Sequence, residues 1–328
     1  MALLRAAVLA TATAAALTAG CSAAEPPADQ VPAVSGAFPV AVSGALGDGE
    51  VAAKPERIVA LTWTDADIVE TLGVTPISVQ KSTAPSGYQP WYEDAINGDL
   101  PPLLQSTDGA VPVEQIAALR PDLIVATKAF NLDRTYDQLS QLAPVVHFAD
   151  TPSTETWQSA TTAVASAMGV PEKGAQVIAD TETRIDDAAR RHSDLDGKTL
   201  TFFVGPSESS VYVVNSSEDA GASFLGQLGM TPTDFAINQP VSTIPGRAEI
   251  SYELLSETDA DVIVATGLPG SIEALAERPA VAELPALRRG AFVSLTPTQA
   301  QSMAFPSPLS LDWALTEIVP QLNAAAQK

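Results

Sequence analysis

Few side chains in this sequence could do covalent or metal chemistry. Histidine occurs only at His147 and His192 and cysteine only at Cys21. Two histidines cannot build a three-histidine metal site, and a lone cysteine allows no intrachain disulfide. Asp65, Asp67, Ser207, Ser209 and His147 are the groups an enzyme would recruit. Yet no Gly-x-Ser-x-Gly elbow, phosphate loop or His-Glu-x-x-His motif accompanies them, and His147 lies inside an apolar run that reads as core. The chain offers aromatic and cationic side chains instead. Trp63, Tyr88, Trp91, Tyr92, Phe130 and Phe305, with Met303, are candidates to stack against a polyatomic ligand. Lys81, Lys128 and Arg247 fall on segments read as loops and are the candidate cations. The expected site is therefore a binding surface, with no catalytic residue and no protein-ligated metal.

Composition narrows the partners. The chain has 328 residues, 46% hydrophobic and 17% charged, enough for a substantial core. A formal net charge of -22 argues against nucleic acid and against a basic patch on anionic lipid. Near the N-terminus, Arg5 precedes an apolar run over residues 6–19, too short to span a bilayer. The run ends in Leu17-Thr18-Ala19-Gly20-Cys21, which resembles a bacterial lipobox. Residues 1–20 are then a signal peptide, Cys21 the lipidated first residue, and the Pro- and Ala-rich residues 21–36 a disordered tether.

The elements that must hold these side chains are organised around residues 171–192. Pro171 suits a first helical position, Glu172 the positive end of the helix dipole, and Arg190, Arg191 and His192 the negative end. Val177, Ile178, Ile185 and Ala188 recur at helical spacing, and only Gly174 speaks against a helix. The predicted helix is roughly 30 Å long. On either side, strands and helices alternate, which calls for an α/β protein with mainly parallel central sheets. The halves also echo each other: Glu114 to Thr127 aligns without a gap on Glu253 to Thr266, and Leu72-Gly73-Val74-Thr75-Pro76 on Leu228-Gly229-Met230-Thr231-Pro232. We expect an N-terminal lobe over residues 37–168, an interdomain helix over 169–193 and a C-terminal lobe over 194–328.

Two such lobes leave a cleft, and ligands of open α/β sheets sit beyond the carboxyl ends of the strands. The rule selects the segments at 62–65, 80–82, 127–130, 205–207, 266–267 and 296–306. They carry Trp63, Lys81, Lys128, Phe130, Met303 and Phe305. Residues 81–98, with Tyr88, Trp91 and Tyr92, read as one long polar and aromatic loop.

Five stretches carry a family resemblance: Pro55 to Leu61, Leu119 to Val125, Gln141 to Val145, Ile250 to Leu254, and Pro306 to Ser310. In this order the chain resembles the substrate-binding lipoproteins of ABC importers, specifically the ferric-siderophore group whose relatives bind haem or cobalamin. The resemblance implies the class III periplasmic-binding-protein fold, with two lobes joined by one long helix. It implies a non-catalytic monomer without a cofactor, lipid-anchored on the extracytoplasmic face of the cell membrane. An Fe(III)-siderophore complex is the ligand it implies, and an ABC permease with its ATPase the partner. It assigns the helix-opening acids Glu114 and Glu253 to permease docking and makes Arg247 a ligand-contacting arginine. Three scattered cations suit a hydroxamate or mixed complex better than an anionic catecholate. Haem stays open as an alternative through Tyr88, Tyr92 or Met303, as do cobalamin and a ligand sensor on the same fold.

Overall fold

Asp122 and Asp261 do the same work in the two halves of the chain. Asp122 accepts the backbone N–H groups of Glu56 and Arg57, both at 2.8 Å. Asp261 accepts the N–H and the hydroxyl of Thr199, both at 2.8 Å. Each aspartate sits just ahead of one strand and pins the start of the strand beside it. The Thr199 N–H bond, more than its side-chain bond and nearby cations, holds the Asp261 carboxyl below its usual range. The acid shared by the sequence repeat is thus a strand-register device.

The computed structural model describes residues 36–105 and 110–328. The signal segment, Cys21 and nearly all of the tether lie outside the described residues. A hairpin of β1 (Val40–Gly44) and β2 (Gly47–Val51) comes first. Then follow β3 (Ile58–Ala60), α1 (Trp63–Thr71), β4 (Ser78–Gln80), α2 (Pro90–Ala95), β5 (Leu103–Leu104), α3 (Val113–Leu119) and β6 (Leu123–Ala126). After β6 come α4 (Tyr136–Leu139), β7 (Val145–His147) and α5 (Trp157–Ala167). Strands β5-β4-β3-β6-β7 form a wholly parallel sheet. Every residue of β3, β6 and β7 is buried, as a parallel sheet covered on both faces requires.

Helix α6 (Pro171–Arg191) then runs for 21 residues between the two sheets in sequence. Gly174, the residue at odds with a helix, lies against α5: a Cβ there would stand 2.4 Å from the Ala165 Cβ. Only glycine permits that approach. Val177 packs on the core of the first half and Ile178 on that of the second.

The second half holds β8 (Thr199–Val204), β9 (Ser210–Val214), α7 (Ala220–Gln227), β10 (Thr231–Pro232), α8 (Asp234–Ile237), β11 (Arg247–Ser251) and β12 (Val262–Thr266). It continues through α9 (Ser271–Ala276), α10 (Pro279–Ala282), α11 (Pro285–Arg288), β13 (Phe292–Leu295), α12 (Pro297–Ala304), α13 (Pro308–Glu317) and α14 (Val319–Ala326). Its sheet runs β11-β9-β8-β12-β13, with β10 also on β8. This sheet too is mainly parallel, with β8 pairing in parallel with β10 and β12, and β12 with β13, while β9 runs antiparallel to both β8 and β11. The link between β8 and β9 is too short to carry a crossover helix, so the chain must turn back. Gly73 and Gly229, one in each half, end their helices at φ 90° and 93°, values open mainly to glycine.

Beside α6, a second helix crosses between the halves. Helix α13 packs on α6, α1 and α2, and its Trp313 and Leu309 close the cluster around Trp91 and Val79 of the first half. In exchange, Trp157 of α5 enters the core of the second half beside Phe224, Met303 and Leu311. Each half thus plugs an aromatic ring into the other.

Candidate functional site

The two sheets place their covering helices so that two cavities open around Lys128. The first, about 280 Å³, is lined by residues 61–64, Gln80, Ala110, Val111, residues 128–130 and Phe305. The second, about 450 Å³, lies between residues 153–158 of the first half and Glu218, Ala220, Ser223, Phe224 and Gln227 of the second, with Pro306 and Leu311. Lys128 lines both.

The smaller cavity is walled by aromatic rings. Trp63 opens α1, whose N-cap Thr62 accepts the Asp65 N–H at 3.1 Å. Its indole meets the Phe305 ring edge to face, with centroids 5.4 Å apart. Phe130, just past β6, is 56% exposed, a large apolar ring left in solvent at the rim of a cavity. The Trp63 indole N–H is shielded from bulk water and has no acceptor among the described residues. A buried donor of that kind costs stability until something accepts from it.

Lys128 is a spacer as much as a charge. Its Nζ donates to the Pro152 carbonyl at 3.2 Å and to the Glu155 carbonyl. Burial lowers its pKa, opposed by the Glu155 and Asp65 carboxylates. Behind it, fully buried Asp65 accepts the Thr127 N–H at 3.0 Å and the hydroxyls of Thr127 and Thr62 at 2.5 and 2.6 Å. Burial pushes the Asp65 pKa up to about 6, against those hydrogen bonds.

The structure brings Trp63, Lys128, Phe130 and Phe305 together on the smaller cavity. Lys81 is exposed on the 81–89 segment and lines neither cavity. Tyr88 donates its hydroxyl to the Pro101 carbonyl at 2.6 Å and is partly buried. Glu114 and Glu253 are exposed, in the first turn of α3 and of the 3-10 helix Tyr252–Glu257 respectively.

Four expectations need correction. Trp91 and Tyr92 are 3% and 2% exposed, on a helix where a loop was expected, and pack as core. Met303 is fully buried in the core of the second half. None of the three offers surface to a ligand, so the haem alternative loses two of its three candidate ligands. Arg247 begins strand β11 rather than lying on a loop, and its guanidinium is paired with Asp219 at 2.6 Å.

Sequence reasoning missed residues 153–158 and the α7 wall. Residues 153–158 follow β7, so the strand-end rule, applied to that strand too, points to them. Helix α7 follows β9, which runs antiparallel, and there the rule gives no guidance. The expected segments 205–207 and 266–267 line neither cavity.

Two sheet-centred halves, bridged by helices and enclosing an aromatic-walled cleft, define a bilobed solute-binding protein with the class III periplasmic binding fold. Residues 58–298 match the model of the periplasmic binding protein family, and the chain belongs to it. The chain is 34% identical to the probable siderophore-binding lipoprotein YfiY of Bacillus subtilis strain 168, over 180 residues that make up 53% of either chain. The chain thus spans about half the length of that relative. A solved periplasmic solute binding protein from Mycobacterium smegmatis is 29% identical, with a TM-score of 0.76 over 88% of this chain and 99% of that one. PiaA of Streptococcus pneumoniae TIGR4, solved in complex with ferrichrome, is 28% identical, with a TM-score of 0.74 at the same coverage.

Proposed function

We propose that this chain is an extracytoplasmic receptor, lipid-anchored through Cys21, that captures a ferric siderophore between its halves and delivers it to an ABC permease with its ATPase. The observation that carries this reading is the convergence of Trp63, Phe130, Phe305 and Lys128 on one cavity beside the seam between the halves. Aromatic walls suit the apolar periphery of a chelate whose iron is already shielded by its own oxygen ligands. Among the described residues no group of three or more His, Cys, Asp and Glu side chains is placed to hold a metal ion, and a receptor for a chelate needs none. Among the chain's relatives, YfiY is a probable siderophore-binding lipoprotein and PiaA was solved with ferrichrome bound.

The receptor is non-catalytic. Asp65 and Asp67 are fully buried and accept hydrogen bonds from Thr62, Thr127, Trp91 and Ser307. Ser207 and Ser209 line neither cavity. Exposed Glu114 and Glu253 are the two permease-docking acids, one from each half.

The test is a titration of intrinsic tryptophan fluorescence with ferric hydroxamates, catecholates and carboxylates, with haem and cobalamin alongside. Saturable quenching by at least one ferric siderophore is expected. A flat response to every iron chelate overturns the reading.

A further inference from the structure

We propose that the cleft selects ferric complexes of zero or positive charge, of the tris-hydroxamate kind, and discriminates against trianionic catecholates. This rests on the siderophore reading and sharpens it. Three hydroxamates cancel the charge of ferric iron, and a pendant amine adds a positive charge. Three catecholates leave a trianion.

The cleft has little positive charge to offer a trianion. Lys128 is the one cation among the described residues lining either cavity. Its ammonium already donates to the carbonyls of Pro152 and Glu155. The Glu155 and Asp65 carboxylates both act on it and offset its field. Arg247 lines neither cavity. Asp219 takes the Arg247 guanidinium at 2.6 Å, with both side chains about five-sixths buried, so the pair presents almost no net charge.

Negative charge, by contrast, faces the cavity. Glu218 lines it and is exposed. Glu155 lines it too, held by the Ala149 N–H at 2.9 Å. The aromatic wall works in the same direction, since ring faces attract cations and repel anions. Around the site, a chain with a net charge of -22 sets a field that repels an approaching trianion and draws in a cation.

The test uses the full chain and three probes: ferrioxamine B, a cationic tris-hydroxamate; ferrichrome, a neutral one; and ferric enterobactin, a trianion. Affinities are read by tryptophan quenching at low and high salt. Both hydroxamates are expected to bind at least about tenfold more tightly than the trianion, or about 1.4 kcal/mol. Salt is expected to weaken the cation and leave ferrichrome nearly unchanged. Glu218→Gln is expected to lower the ratio of ferrioxamine B to ferrichrome affinity. Glu218→Lys, which reverses the exposed charge on the wall, is expected to raise affinity for the trianion several-fold. A thermal melt of each variant confirms that it folds. Equal or tighter binding of ferric enterobactin overturns charge selection and leaves the receptor reading standing. No binding of either hydroxamate also overturns charge selection, and only a flat response to every ferric chelate overturns the receptor reading itself.

Discussion

The Ser307 hydroxyl donates to Asp67 Oδ2 at 2.6 Å, joining residues 240 positions apart at a point with no solvent access. The Trp91 indole N–H donates to the same oxygen at 2.8 Å. Ser307 also accepts the Ser310 N–H as the N-cap of α13. One carboxyl thus ties α1, α2 and α13 together where the second half crosses onto the first.

That carboxyl sets a pH dependence. Burial, with the nearby Asp65 adding to it, lifts the Asp67 pKa from 3.8 to about 8, against the pull of Ser307 and Trp91. Glu70 and Tyr92 lie in the same neighbourhood, since both Glu70 and Asp67 act on the Tyr92 phenol. The folded state therefore holds a proton that the unfolded chain gives up near its ordinary value. Oδ2 accepts both hydrogen bonds, and Oδ1, without a partner among the described residues, is the oxygen left open to the proton. Because the folded pKa is the higher one, the contribution is fully present below about pH 4 and is lost as pH rises toward about 8. Asp65, lifted to about 6, adds a smaller loss in the same direction, complete by about pH 6. Asp67→Asn mimics the protonated form, so its melting temperature is expected to fall less between about pH 5 and pH 8 than that of the parent. Parallel melting curves across that range would remove Asp67 as the source.

Trp63 and Trp91 are separable by what each loses. Trp63→Phe is expected to abolish most of the ligand-induced quenching, because Trp63 lines the cavity. Phe305→Ala is expected to weaken binding about tenfold, roughly 1.4 kcal/mol, through loss of the edge-to-face partner and its surface. Trp91→Phe is expected to keep both affinity and quenching. It should lower stability by about 1–2 kcal/mol, since the indole bond to Asp67 disappears in a buried site. Loss of ligand affinity in Trp91→Phe at a temperature where it is folded would place Trp91 in the binding surface after all.

Lys128→Met tests the partition between the cavities. The substitution keeps a long apolar stem but leaves the Pro152 and Glu155 carbonyls without their donor. A loss of about 1–3 kcal/mol in unfolding free energy is expected by denaturant titration. Faster amide exchange should be confined to residues 150–156. Unchanged exchange there would mean that the ammonium does not hold the segment.

Much of this architecture was legible because it rests on local rules. Pro171, the acid-to-base gradient and the helical spacing give α6 within a residue of its observed span. The repeated Asp before a strand marked Asp122 and Asp261, and the structure supplies its reason in the strand starts they hold. What stayed hidden depends on partners distant in sequence. Trp91 and Tyr92 read as loop aromatics because the ring that buries Trp91 is Trp313, on a helix from the other half. Arg247 read as a free cation because its partner Asp219 is 28 residues away. Met303 had a nearer clue: Thr296 and Gln299 form a capping box, which starts a helix and sends Met303 inward. The strut likewise predicted one bridge between lobes, whereas the crossing of α13 follows only from packing.

Glu114 and Glu253 make the last prediction, because their place at helix ends and the docking role proposed for them separate cleanly. Both are exposed and open helices, where a carboxylate gains about 0.3–1 kcal/mol from the dipole. That gain is all that folding can lose. Glu114→Lys and Glu253→Lys should therefore shift the melting temperature only slightly and leave siderophore affinity as in the parent, since neither acid lines a cavity. A permease surface that pairs with one acid on each half would meet a repulsive charge instead. Each single variant is expected to cut uptake of the iron complex in cells, and the double variant to cut it further. ATPase stimulation of the reconstituted transporter by the loaded receptor should fall in step. Uptake at the parental rate in the double variant, with affinity intact, would show that these acids serve the helix ends alone.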